Sequence, residues 1–195
     1  MYKEAIIATS NKHKFEEYKR MLEPLGYKVE SLLDLHINTE IPETGKTFAE
    51  NAMIKAKFIG NMYPNALVIG DDSGLEVHAL NNFPGIYSHR FMEDKTYREK
   101  QLALIKMLEG KKDWSANFTC CIALVNYKGL NKVFTGKVDG EIVKEIEGDE
   151  GFGYDPIFYS YELGKTFGQV SGKEKDSVSH RGRALKQVID FLKNN

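Results

Sequence analysis

The chain has 195 residues, 42% of them hydrophobic, enough for one domain, or two lobes sharing a core, to bury a sizeable interior. Its 27 Lys and Arg nearly balance 28 Asp and Glu, for a formal net charge of -1. That balance excludes a bulk polyanion such as duplex DNA, or an anionic membrane surface, as a partner of the whole molecule, so any cationic site must be local.

Residues 4–9, Glu-Ala-Ile-Ile-Ala-Thr, read as a short apolar strand. Met1-Tyr2-Lys3 leads into it without the pattern of a signal peptide, and no apolar run reaches the roughly 18 residues of a membrane span, so the cytosol is the expected home. A helix follows, burying Phe15, Tyr18, Leu22 and Leu25 at spacings of three and four. Its start is unusual. Thr9-Ser10-Asn11-Lys12-His13-Lys14 crowds cations at a helix N-terminus, where the partial positive charge favours acids. A bound anion reverses that penalty: free N–H groups, the side chains of Thr9, Ser10 and Asn11, and the ammonium groups of Lys12 and Lys14 can cradle a phosphate. The plainer alternative makes Ser10 or Asn11 an N-cap and leaves the lysines in solvent.

Glu40 and Glu43 precede a second helix, where Thr47 and Glu50 have capping-box spacing. Gly45-Lys46-Thr47 and Gly164-Lys165-Thr166 are not P-loops, because Glu40 and Tyr159 stand where the earlier glycine is required. Residues 66–80 read as strand, turn and strand, with Asp71 and Asp72 adjacent and followed by Ser73 and Gly74. One account is turn chemistry. The other is that these acids, with Glu40 and Glu43, bind a magnesium ion that neutralises a polyphosphate and activates a water.

A third helix opens at Thr96 and Glu99, again with capping-box spacing, and residues 115–143 hold long β-prone runs around a turn at Asn126-Tyr127-Lys128-Gly129. Cys120 and Cys121 are adjacent, so a strand sends them to opposite faces, suited to core packing and not to a metal pair or a disulfide. The histidines show no zinc spacing. In residues 148–159 the glycines permit close approach, Phe152 and Tyr154 offer flat faces, and Asp155 can accept an N–H, as a nucleobase pocket requires. A glycine-rich turn with core aromatics is the alternative. Lys173, Lys175, His180, Arg181 and Arg183 gather at the start of a last helix, which begins near Ser179 and buries Leu185, Val188, Ile189 and Leu192; they form either a second anion site or a solvated surface. Alternating strands and helices with a hairpin-rich second half predict a mixed sheet flanked by helices, of the α/β or α+β class.

Six stretches, T-S-N-K-H-K-F-E-E, E-T-G-K-T-F-A-E-N-A, D-D-S-G-L-E-V, P-G-I-Y-S-H-R-F, F-G-Y-D-P-I-F and E-K-D-S-V-S-H-R-G-R-A-L, resemble in order and spacing the inosine triphosphate pyrophosphatase family, bacterial house-cleaning enzymes for non-canonical purine nucleotides. The resemblance runs from Ile6 to Leu192. It implies a single two-lobed mixed α/β domain over residues 1–195, with a long central sheet, a substrate cleft between the lobes, and a homodimer. It also implies magnesium-dependent hydrolysis of ITP, dITP and XTP to the monophosphate and pyrophosphate. By that resemblance Thr9 to Lys14 hold phosphate, Asp72 is the general base and a metal ligand, and Ser73 contacts substrate. Phe152, Gly153, Tyr154 and Asp155 face the base, joined by Lys175, His180 and Arg181. The family often doubles the acid before T-G, whereas Pro42 precedes Glu43 here, leaving Glu43 or Glu40 as the second metal ligand. His13 and His89 also depart from the family, which commonly has a small residue and alanine there. Lys14 and Arg181 are expected to stabilise charge on the phosphate oxygens. A pocket wired to a 6-oxo group and an N1–H leaves buried polar groups unmatched by adenine. The alternatives are a pyrophosphatase of similar fold acting on pyrimidine or modified nucleotides, and a non-catalytic nucleotide- or RNA-binding module.

Overall fold

The structure is a computed structural model describing residues 4–194; Met1-Tyr2-Lys3, read above as the lead into the first strand, and Asn195 lie outside the described residues. In chain order the elements are β1 (Glu4–Ala8), α1 (Lys12–Leu22), β2 (Lys28–Ser31), α2 (Phe48–Met62), β3 (Leu67–Val77), β4 (Phe83–Pro84), α3 (Tyr97–Leu108), β5 (Ser115–Tyr127) and β6 (Leu130–Ile142), then β7 (Phe158–Ser160), β8 (Lys165–Thr166), α4 (Gly172–Val178) and α5 (His180–Asn194). The strands follow the order β2-β1-β3-β5-β6-β7-β8, with β4 on β3. Among the described residues no helix is long and apolar enough to cross a membrane.

Two compact units divide the chain. The first runs up to Asp72 and takes in Cys120–Thr135 and the residues from Ala184; the second comprises Ser73–Thr119 and Gly136–Arg183. In the first, β1 pairs in parallel with β2 and with the opening half of β3, Ala5 lying opposite Val29 and Leu67. Parallel neighbours need crossover connections, which α1 and α2 supply. Covered by helices, β1 from Ala5 and β3 up to Gly70 are apolar, and Ile7, Ile69 and Ile122 join Tyr18, Leu22, Leu185 and Val188 in one core. Cys120 and Cys121 are both buried, as the expectation of core packing requires.

In the second unit the pairing is antiparallel: β4 on the end of β3, and β7 on β6 and β8. Its core gathers Leu75, Leu104, Leu108 and Val138 around Phe118, Phe158 and Phe167. The rings of Phe118 and Phe158 lie 4.7 Å apart. β5 and β6 are joined through Lys128 and Gly129, whose φ values of 50° and 74° suit a two-residue hairpin turn.

Several expectations change. No turn interrupts residues 67–77: Asp71, Asp72, Ser73 and Gly74 all lie inside the continuous strand β3. Acid and glycine content suggested a turn, but the flanking apolar residues are buried on both sides, so the ladder continues. Leu25 falls outside α1, in a short 3-10 turn. Thr96 and Glu99 form a full capping box. At α2 only half of one forms: Thr47 accepts the Glu50 N–H at 3.1 Å, while the Glu50 carboxylate turns to the Lys46 N–H at 2.6 Å. The last helix begins at His180, as expected, but the short α4 before it was not foreseen; Ser171 and Glu174 give it a capping box of its own.

One contact sets the height of α2 over the sheet. A Cβ on Gly70 would stand 2.2 Å from the Ala52 carbonyl oxygen and 2.8 Å from the Ala56 nitrogen. Gly70→Ala is therefore expected to destabilise the chain by about 2 kcal/mol, measured by urea unfolding; an unchanged midpoint would mean that α2 lifts at no cost.

Candidate active site

Consecutive side chains of an extended strand point to opposite faces, so Asp71 and Asp72 diverge although they are neighbours. Both are buried. Each meets a lysine from a different helix. Asp71 takes the Lys14 ammonium on Oδ1, and its Oδ2 accepts from the Tyr18 hydroxyl at 2.9 Å and from the Cys120 thiol at 3.2 Å. Asp71 thus bonds protein donors through both oxygens.

Asp72 faces α2. Asn51 and Lys55, one helical turn apart, donate to its two oxygens, each at 3.2 Å. The Lys55 ammonium also reaches Glu43 at 2.6 Å. The loop carrying Glu43 is pinned to the same helix, since the Gly45 N–H donates to the Asn51 side-chain oxygen at 2.8 Å. Glu43 therefore shares a cation with Asp72, whereas Glu40 is exposed.

Three carboxylates, Asp71, Asp72 and Glu43, thus stand around two ammonium groups. Burial pushes the Asp72 carboxyl above its ordinary range; Lys55 and Lys14 oppose this, and Glu43 and Asp71 add to it. Lys55 is also raised: burial acts to lower it, but the surrounding carboxylates prevail. The Asp72 shift thus reports burial first, and the Lys55 shift reports the carboxylates around one ammonium.

The phosphate-loop residues sit between β1 and α1. Asn11 is the N-cap, accepting the Lys14 N–H at 3.1 Å, and Thr9 accepts the Asn11 N–H at 3.1 Å. The plainer N-cap role is thus filled by Asn11, but of the two lysines only Lys12 is left exposed, Lys14 pairing with Asp71, and no acid occupies the first turn. Ser10, Lys12 and His13 are exposed.

In the second unit, residues 151–155 form a loop tied to itself and to α4. Asp155 Oδ2 accepts the Phe152 N–H at 2.8 Å and the Lys175 ammonium at 2.7 Å, and that ammonium lies 4.5 Å from the Phe152 ring centre. Both partners of the ion pair are nearly inaccessible. Arg181, fully buried, donates to the Ser73 hydroxyl at 2.7 Å, and His180 stacks on Phe118 with ring centres 4.7 Å apart. The cations at the last helix do not form one collar. Arg183 turns to Glu162 and to the Lys137 carbonyl, and Lys173 is exposed.

The Ham1 family's sequence profile matches residues 5–191. The chain belongs to the Ham1 family. A Bacillus licheniformis protein named dITP/XTP pyrophosphatase is 46% identical over 193 residues, covering 97% of this chain and 98% of that one. A Bacillus subtilis protein of the same name is 42% identical, covering 97% of each. The Staphylococcus aureus Ham1 structure superposes with a TM-score of 0.87 at 40% identity, covering 98% of this chain and 99% of that one. A HAM1 protein from Coxiella burnetii gives 0.89 at 36% identity over the whole of both chains.

Within this Ham1 chain, Lys55, Asn51 and Tyr18 were missed by sequence reasoning. A signal for the first two was present: polar residues four apart on the inward face of an otherwise apolar helix. Tyr18 carried none, because its ring fits the apolar face and only its hydroxyl reaches Asp71. The Lys175–Asp155 pair is testable on its own. Lys175→Met, which strands a buried carboxylate, is expected to destabilise the protein by about 3 kcal/mol in chemical unfolding, and adding Asp155→Leu should recover part of the loss. Additive losses would show that the two charges act independently.

Proposed function

We propose that this chain hydrolyses non-canonical purine nucleoside triphosphates, dITP, ITP and XTP, to the monophosphate and pyrophosphate. The observation that carries the reading is the buried Asp72, held between Asn51 and Lys55 and next to a second acid, Glu43, that shares its lysine. Full-length similarity to proteins named dITP/XTP pyrophosphatase supports it.

Magnesium fits the donors present. Among the described residues no three acid, His or Cys side chains gather as a metal cage, but magnesium commonly takes one or two carboxylates and completes its shell with phosphate oxygens and water. Asp72 and Glu43 would hold it, and the excess of carboxylate over ammonium favours a cation there. When bound, it would neutralise phosphate charge and make an attacking water more acidic.

The side chains divide the remaining work. Asp72 takes the proton of the attacking water, a role suited to a carboxyl raised by burial. Lys14 and Lys55 offset charge that develops on the phosphate oxygens. The Thr9 to Lys14 loop presents N–H groups at the start of α1 to the phosphate tail, with Ser10, Lys12 and His13 as exposed donors. Ser73 and Arg181, which are bonded to each other, contact the substrate. Phe152, Gly153, Tyr154 and Asp155 face the base, with Lys175 and His180 fixing the walls around them. A homodimer acting on the cytoplasmic nucleotide pool completes the proposal, with sedimentation velocity as the check on the dimer.

The test is product identification with ITP, XTP, dITP, ATP and GTP, with and without magnesium. Pyrophosphate released from the first three, abolished by chelation, is expected; orthophosphate as product, or a preference for ATP, would overturn the assignment. Asp72→Asn is expected to lower kcat by at least about a hundredfold while leaving the fold intact by circular dichroism.

A further inference from the structure

Gln101, on the second turn of α3, is buried, yet it lies outside every motif named above. A buried amide needs partners. Its Nε2 donates to the Gly153 carbonyl at 2.6 Å. The same face of α3 grips the neighbourhood of that loop more than once. Tyr97 meets Tyr154 edge-on with ring centres 5.7 Å apart, and Lys100 donates to the His89 carbonyl at 2.8 Å. Tyr154 in turn donates its hydroxyl to the Ser88 carbonyl at 2.9 Å.

Gly151 and Gly153 both have positive φ, 72° and 67°, and glycine adopts the opposite sign as readily. A side chain at Gly151 would strike Asp155 Oδ2, 2.2 Å from where its Cβ would be. A Cβ built on Gly153 would make only ordinary contact, its nearest atom being Tyr97 Cε1 at 3.6 Å. The plane that follows Gly153 turns about the ψ of Gly153 and the φ of Tyr154, which stands at -101°, so a flip carries the tyrosine into the strained positive-φ region and competes only when the carbonyl has lost its donor. In a trans peptide the C=O and the following N–H point in opposite directions, so a carbonyl tied to α3 turns the Tyr154 N–H the other way. A flipped plane exchanges a donor for an acceptor.

We propose that Gln101 is a specificity-determining positioning residue: by holding the Gly153 carbonyl against α3 it keeps the loop presenting an N–H, which a 6-oxo purine can accept, and keeps back the carbonyl that a 6-amino purine would use. This rests on the reading that residues 152–155 face the base. Gln101 acts through the backbone and does not touch the nucleotide.

The experiment compares kcat/KM for ITP and for ATP in the wild type and in Gln101→Met, which keeps the length and loses the donor, with a thermal melt of each. Gln101→Ala, which removes the amide altogether, serves if the Met variant does not fold. The expected result is a fall of about tenfold or more in the ITP-to-ATP ratio, mainly through a gain on ATP, with pyrophosphate still the product. A ratio within about twofold of wild type, whatever the melting temperature does, would overturn the inference, because loss of packing alone lowers both substrates together. A wild type that does not favour ITP over ATP would instead remove the proposed function, so the two failures are separable.

Discussion

Two neighbouring carboxylates can be buried in one strand only if each finds its own cation, and that constraint organises the first unit. Asp71 and Asp72 diverge to opposite faces of β3, and a lysine meets each, Lys14 from α1 and Lys55 from α2. Leaving either charge uncompensated in the interior would cost several kcal/mol. The helices are therefore needed at these positions for electrostatic reasons as well as for the apolar core they cover. Tyr18 and Asn51 complete the arrangement by fixing the carboxylate oxygens that the ammonium groups leave over.

The two acids then differ in kind. Asp71 is held by an ammonium, a phenol and a thiol. Asp72 shares its lysine with Glu43 and has its carboxyl raised by burial, so it keeps the capacity to take a proton or a cation. The distinction follows from which way each side chain points. A formal net charge of -1 for the whole chain conceals it, because the relevant balance is struck among five side chains.

Much of the fold was legible in the sequence because its signals are local. Capping residues marked the starts of α2 and α3, and the apolar spacing of three and four marked α1 and α5. The hairpin at Lys128 and Gly129 declared itself through its turn residues. The strand through Asp71 to Gly74 did not, because polar and glycine content mimics a turn, and only tertiary burial on both sides restores the ladder. The site shows the same division. Asp72, Asp155 and Lys175 stood out as acids and bases in unusual company. Lys55, Asn51 and Gln101 are ordinary helix residues until a carboxylate or a carbonyl distant in sequence comes within hydrogen-bonding reach. The cations near the last helix looked like one group in sequence. They separate in space because Arg183 has its own acid in Glu162 and Lys175 has Asp155.

The missing side chain at Gly70 reaches further than its own neighbourhood. It lets the backbone of α2 rest directly on the sheet, so the distance from that helix to Asp72 is set by main-chain atoms. Main-chain spacing does not drift when surface residues change. Lys57, Phe58, Asn61 and Met62 lie on the exposed side of α2, away from that contact, while the reach of Lys55 stays where a hydrogen atom at position 70 has put it.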